Sequence, residues 1–275
     1  MNARKPGTLW VVATPIGNLG DLSPRAQQVL REVELVACED TRHSRPLLQH
    51  FGIATPSTAL HEHNEHAAVA ALLARLQEGQ DVALISDAGT PLISDPGYRL
   101  VRAARAAGIP VSPVPGACAA IAALSVAGLP SDRFAFEGFL PAKPAARRTR
   151  LRALADETRT LVLYESSHRI MECCADLVVA FGSDREAALL REITKLHETH
   201  LGATLGEIAG RVETDPEQRL GEFVLVVAGR GEDADTQLAE GRRVFNLLRE
   251  ELPPAKAAKL AAAISGAPRK ELYEH

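Results

Sequence analysis

The chain has 275 residues, 46% of them hydrophobic but few aromatic, and 31 basic against 35 acidic side chains give a net charge of −4. That length supports one large domain or two modest ones, and the charge balance excludes a uniformly basic nucleic-acid coat while leaving room for a local basic patch. Met1 to Thr8 has no apolar signal region, and no apolar run approaches the roughly 18 residues of a membrane span. Cys38, Cys118, Cys173 and Cys174 have no metal-type spacing, so the expectation is a soluble, cytoplasmic protein in reducing surroundings.

Small aliphatic residues dominate, which suits helices packed on parallel sheets. Leu9 to Ala13 predicts a first buried strand. It opens into Thr14-Pro15-Ile16-Gly17-Asn18-Leu19-Gly20-Asp21, where glycine and proline allow close approach of backbone to a ligand. Ser23 reads as an N-cap and Pro24 as the first helical position. Leu35 to Cys38 predicts a second strand, with Glu39-Asp40-Thr41-Arg42 directly after it. Those charges fit either a ligand-facing sheet edge or a solvated loop with a helix cap. His61-Glu62-His63-Asn64-Glu65-His66 lacks the spacing of one helical face and has no cysteine nearby. It reads as a polar rim or helix start, with Asn64 capping a helix over 67–77, in preference to a metal site.

Val82 to Ile85 predicts the third strand, and Ser86-Asp87-Ala88-Gly89-Thr90-Pro91-Leu92-Ile93-Ser94-Asp95-Pro96-Gly97 follows. An apolar strand running into Asp, Gly and Pro presents backbone amides and a carboxylate to a small ligand. A helix over 97–107 stops at Gly108. Val111 to Val114 is the fourth strand, and Pro115-Gly116-Ala117 leads into a helix over 118–127. The repeated strand, loop and helix over 9–127 predict a parallel, doubly wound α/β half.

The second half is expected to hold a mixed sheet, with Phe134 to Phe136 pairing antiparallel. Pro141 to Arg152 then carries Lys143, Arg147, Arg148, Arg150 and Arg152 with no acidic residue. A solvated helix start and a phosphate-binding patch fit this run equally. Thr160 to Tyr164 is a strand before Glu165-Ser166-Ser167-His168-Arg169 and a helix to about Ala180. Ala187 to Arg191 is a strand before Glu192-Ile193-Thr194-Lys195-Leu196-His197-Glu198, and Phe223 to Ala228 closes the domain. Residues 229–239 read as a polar linker. Beyond it, Leu252 to Tyr273 reads as a helix, a glycine turn and a basic second helix. This is either a helix-turn-helix unit or, slightly favoured, a packing hairpin, with Lys256, Lys259, Arg269 and Lys270 available to nucleic acid. The expected division is 1–118, 119–231 and a helical tail over 236–275.

Neither G-x-G-x-x-G after the first strand nor a P-loop nor G-x-S-x-G is present. The residues alone therefore point to a cofactor-dependent α/β enzyme whose cofactor is zwitterionic or contains a nucleoside.

The loops at 14–19, 38–42, 86–97 and 114–116 resemble those of the tetrapyrrole-methylase fold family, and in particular its branch that methylates small-subunit ribosomal RNA. Glu137-Gly138-Phe139-Leu140-Pro141, Tyr164 to Arg169 and Arg191 to Glu198 extend the similarity through the second half. The family's last helix runs a few apolar residues past the Leu-Tyr pair, whereas this chain stops at His275. The resemblance implies two α/β domains with a cleft between them, S-adenosylmethionine as methyl donor, a homodimer, and 16S rRNA or the small ribosomal subunit as partner; no metal is expected, from the histidine spacing above. The acceptor it implies is the ribose 2′-hydroxyl of a cytidine in the decoding region. By motif it carries over Pro15, Asp87, Ala88, Gly89, Thr90, Ser94 and Gly116 as cofactor positions.

In-line transfer then requires alignment and a proton acceptor for the hydroxyl. Glu39, Asp40, Arg42, His168, Glu192, Lys195 and Glu198 are candidates by position and type. Asp40 or Glu198 is expected as base or orienter, with Arg42 and Lys195 as phosphate or transition-state partners. Lys143, Arg147, Arg148 and Arg150 are expected to bind RNA. Two other readings stay open: a same-fold methyltransferase of a tetrapyrrole, and a non-catalytic RNA-binding protein. The basic run speaks against the first and the crowded polar strand ends against the second.

Overall fold

The computed structural model describes residues 5–61, 64–231 and 234–272. The first half contains β1 (Leu9–Val12), α1 (Pro24–Glu32), β2 (Leu35–Cys38), α2 (Thr41–His50), β3 (Ser57–Ala59), α3 (Glu65–Gln77), β4 (Val82–Leu84), α4 (Tyr98–Ala106) and β5 (Val111–Val114). Its strands form one sheet in the order β3-β2-β4-β1-β5, and every pairing is parallel. Alternation along β2 shows why the strands are apolar throughout. Val36 and Cys38 face a core with Val29, Leu30 and Leu48 of α1 and α2, and Leu35 and Ala37 face one with Leu72, Leu76 and Leu100 of α3 and α4. Helices cover both faces, so neither can be polar.

The second half runs α5 (Ala119–Val126), β6 (Phe134–Phe139), α6 (Pro144–Leu154), β7 (Thr160–Ser166), α7 (Ile170–Phe181), β8 (Glu186–Arg191), β9 (Thr199–Thr204), α8 (Leu205–Thr214) and β10 (Glu222–Val227). The sheet order is β6-β7-β10-β8-β9, with β10 antiparallel to β7 and β8, and β8 antiparallel to β9. The sheet is mixed as expected, but β6 supplies its parallel pair and not an antiparallel one. Phe134–Phe139 pairs parallel to β7, because α6 intervenes and a helical crossover returns the chain in the same direction. Ala120, Ala123 and Leu124 of α5 pack with Val162, Leu190, Val224 and Val226, so this helix leaves the first sheet and seats on the second.

The remaining helices are α9 (Ala234–Leu248) and α10 (Pro254–Ser265). Helix α9 begins inside the stretch expected to be a linker. Val244, Phe245, Ala257, Ala258, Ala261, Ala267 and Leu272 make a small core of their own. Gly266, left-handed at φ 75°, ends α10 and turns the chain. Tyr273 lies outside the described residues. Among the described residues no helix is long and apolar enough to cross a membrane.

Candidate active site

Sheet order assembles the site. β4, β1 and β5 are neighbours, so the loops after their carboxyl ends, 85–97, 13–18 and 115–118, meet on one edge. Hydrogen bonds hold them together. Thr14 N–H donates to Gly89 O (2.9 Å) and Ala13 N–H to Val114 O (3.2 Å). The Thr90 hydroxyl donates to Ala117 O (2.9 Å) and that of Ser86 to Gly89 O (3.1 Å). Gly116 lies so close to β1 that a Cβ there would stand 2.9 Å from Ala13 Cβ.

A cavity of about 370 Å³ opens between this edge and the second sheet. One wall is Ile16, Asp87 to Thr90 and Ile93 to Asp95. The other includes Phe139, Tyr164 to Ser167, Glu192, Ile193, Lys195 and Gly221 to Val224. The volume is in the range of small-molecule sites, and the lining mixes apolar side chains with a few convergent polar groups. Among the described residues the non-glycines with positive φ are Leu92 (75°), Ser94 (70°), Glu192 (53°) and Thr194 (67°). They form one pair on each wall loop. Left-handed backbone at non-glycine positions persists only where surrounding structure enforces it, and it concentrates at functional sites.

Lys195 links the walls. Its ammonium donates to Glu222 (2.7 Å) and Glu192 (2.9 Å). Its stem lies over the first domain's Gly17, where a Cβ would meet Lys195 Cγ at 2.3 Å. Burial opposes its charge, yet the carboxylates of Glu222 and Glu192 hold its pKa above the ordinary value. Lys195 is therefore a fixed cation and a poor proton acceptor. Glu192 is lowered: burial would raise it, but Lys195 and the Glu222 N–H outweigh that.

Asp95 behaves oppositely. Burial, then the charge of Glu39, push its carboxyl up to about 6, against a hydrogen bond from Ser86, and Asp87 adds to the rise. Tyr164, whose hydroxyl oxygen accepts from the Ala120 N–H (3.0 Å), is raised as well, chiefly by burial. Glu165 is buried with Oε2 3.1 Å from the Arg169 guanidinium but without hydrogen-bond geometry, and Thr194 Oγ1 is buried without a partner.

The structure separates the expected site residues into two groups. Asp87, Ala88, Gly89, Thr90, Ser94 and Lys195 line the cavity. Pro15 and Gly116 support its lining without joining it. Asp40 and Arg42 stand outside. Asp40 caps α2, accepting from the Arg42 N–H (2.8 Å) and gripping the Arg42 guanidinium (2.7 Å). Arg42's side chain is 85% exposed. That grip, with the backbone bond, holds the Asp40 carboxyl far below the usual range and makes it a weak base. Glu198 is outside too, accepting from the Thr194 N–H (2.5 Å) and pairing with His200 (2.9 Å), so it braces the 192–198 turn.

In α6, Lys143 is exposed, but Arg147 is buried among α7 carboxylates, with Nε donating to Asp176 (2.7 Å) and a second contact to Glu172 (3.3 Å). It pins α6 to α7 and offers nothing to a phosphate. Arg148 and Arg150, about half exposed, pair with Asp176 and Glu137. Of the histidine-rich hexapeptide, Glu62 and His63 lie outside the described residues. Asn64 precedes α3 without a capping bond, and instead accepts from the His61 N–H (2.9 Å) and donates to Ala59 O (3.0 Å).

Asp95, Tyr164 and Phe139 also line the cavity, with no sequence signal of a role beyond, for Asp95, its place with Asp87 in the loop after β4.

Two half-sites, one parallel and one mixed, enclosing a strand-end cavity define a class, and comparison with known proteins names it. Residues 8–209 match the family model Tetrapyrrole (Corrin/Porphyrin) Methylases, and the chain belongs to that family. Residues 235–275 match a second model, RsmI C-terminal HTH domain. Within the family, the chain is 62% identical over 268 residues, 98% of each chain, to Ribosomal RNA small subunit methyltransferase I of Xylella fastidiosa strain Temecula1. It is 59% identical over 270 residues to the protein of that name from Pseudomonas aeruginosa, covering 98% of this chain and 96% of the relative. Among solved structures, uroporphyrin-III-C-methyltransferase from Thermus thermophilus superposes with a TM-score of 0.56 at 26% identity, covering 81% of this chain and 94% of that one.

Proposed function

We propose that this chain transfers the methyl group of S-adenosylmethionine to the ribose 2′-hydroxyl of a cytidine in the decoding region of 16S rRNA. The observation that carries the reading is the near full-length likeness to proteins called Ribosomal RNA small subunit methyltransferase I. The cavity suits such a donor: its size, its apolar lining and the carboxylate of Asp87 match an adenosine bearing a sulfonium and an amino group. Asp87, Ala88, Gly89, Thr90 and Ser94 would hold it, with Pro15 and Gly116 shaping the floor. When bound, the donor supplies a methyl group already activated by positive sulfur.

The protein's own contribution is alignment and proton transfer. Asp95 takes the role expected of Asp40 or Glu198, accepting the proton of the ribose hydroxyl; a carboxyl near 6 is a better acceptor than one held low by arginine. Lys195 fixes the two walls and offers positive charge to the phosphate beside the acceptor ribose. RNA meets Lys143, Arg148 and Arg150 on α6 and the basic tail at Lys256, Lys259, Arg269 and Lys270. The reading includes a division at 1–118, 119–231 and 236–275, a homodimer, and action in the cytoplasm on the RNA or the assembled small subunit.

Incubation with tritiated S-adenosylmethionine and small ribosomal subunits tests this. Label on a ribose of the small-subunit RNA is the expected result. Label only on a porphyrinoid in a parallel reaction, or none anywhere, would overturn it.

A further inference from the structure

We propose that Phe139 is the platform on which the base of the methylated nucleotide stacks; this rests on the ribosomal-RNA reading above. Phe139 ends β6, lines the cavity and is 54% exposed. A ring so exposed adds little to a core, and its place at the mouth of a site is what needs explaining.

The backbone is bent to put it there. The parallel register of β6 against β7 is interrupted between Phe136 and Gly138. Glu137 is the extra residue, and Gly138 is left-handed at φ 61°. Such a bulge re-aims the side chain that follows it. It is anchored at three points. Glu137 takes the Arg150 guanidinium of α6 (2.5 Å), a bond between a half-exposed arginine and a mostly covered carboxylate. Gly138 lies against the other wall, where a Cβ would approach Ser94 Oγ to 2.9 Å. The Phe139 ring meets Tyr164 edge to face with centroids 5.6 Å apart, while Phe136 meets Tyr164 at 5.0 Å. Tyr164 is fixed in turn by the Ala120 N–H.

These contacts hold the ring at the cavity mouth, between the basic helix α6 and the candidate donor loop at Ser94. A nucleotide whose 2′-hydroxyl enters the cavity must leave its neighbours in the strand, and its unstacked base requires a new π-face. Phe139 is the aromatic placed to supply one. Any base would stack there, so this contact confers affinity and orientation, and sequence choice must come from elsewhere.

The test compares Phe139→Ala, Phe139→Leu and Phe139→Trp in the full chain. S-adenosylmethionine affinity is measured by calorimetry, and KM and kcat with small ribosomal subunits. Both Ala and Leu should lower kcat/KM by roughly tenfold to a hundredfold, the range of one lost base–aromatic stack, with cofactor affinity unchanged. Trp should stay within a few-fold of wild type. A Leu variant as active as Trp would make the ring a mere apolar filler, and a parallel loss of cofactor affinity would assign it to the donor pocket; either overturns the proposal. If the wild-type chain labels no ribosomal RNA, the underlying reading fails first, and the inference with it.

Discussion

Two loops leave the carboxyl edge of one parallel sheet from adjacent strands, β2 and β4, and they treat their aspartates in opposite ways. After β2, Asp40 is a helix cap whose carboxylate is saturated by Arg42. After β4, Asp95 is partly buried, flanked by strained Ser94, and crowded by Glu39 and Asp87. Arginine stabilises the charge on the first and burial penalises it on the second. Both positions satisfy the rule that charge at a strand end faces ligand. Only local partners decide which carboxylate is left with proton affinity near neutral pH.

The sharpest way to break this contrast is Asp95→Asn. It should reduce methyl transfer about a thousandfold, in the range of a lost general base, while calorimetry finds cofactor affinity little changed. A mild loss would move the base elsewhere. Next is Lys195→Ala, which removes the cation joining Glu192, Glu222 and Gly17. A loss of roughly a hundredfold in kcat/KM is expected, as for a deleted electrostatic donor.

The contrast has a parallel in α6, where neighbouring arginines also differ. Arg147→Ala should destabilise the fold by about 3 kcal/mol in denaturant titration, since it strips a partner from buried Asp176. The salt dependence of RNA binding should not move. Replacing Lys143 and Arg148 together should shift the balance: a salt slope shallower by about 1.5, as expected for two released phosphate contacts, with a smaller loss of stability than Arg147→Ala, since half-exposed Arg148 leaves Asp176 while buried Arg147 stays on it. Smallest of all, Asp40→Asn should lower thermal stability slightly through the lost ion pair with exposed Arg42 and leave the rate within about threefold, since Asn still caps the helix.

Much of the fold was legible because buried parallel strands are written as short apolar runs. Leu35–Cys38 and Val82–Leu84 could be nothing else. The Ser23 cap and Pro24 were equally plain, and Ser23 accepts from the Ala26 N–H as such a cap does. Three elements were missed for different reasons. β9, Thr-His-Leu-Gly-Ala-Thr, is an edge strand with too little apolar character to signal itself. Helix α8 did announce its start through the capping box of Thr204 and Glu207. β3 has three residues, below what periodicity can resolve.

The site was legible as a set of loops and less so as a set of roles. Asp87 to Thr90 and Lys195 could be found because they follow apolar strands. Asp95 could not be told apart from Asp40 in the sequence, since its raised pKa comes first from burial and then from Glu39, distant in sequence. Arg147 is instructive because the signal was present: with Leu151 and Leu154 it occupies the i, i+4, i+7 face of α6, so the pattern placed it inward even while its charge suggested solvent.

The pH dependence of single-turnover methyl transfer to small ribosomal subunits, at saturating S-adenosylmethionine, tests the central contrast most directly. A carboxylate accepts a proton only when ionised, so the wild-type rate should rise about tenfold per pH unit below the Asp95 value near 6 and level off above it. Asp40→Asn should keep that profile, and Asp95→Asn should give a low rate without the step. A step that survives in Asp95→Asn, or vanishes in Asp40→Asn, would contradict the account.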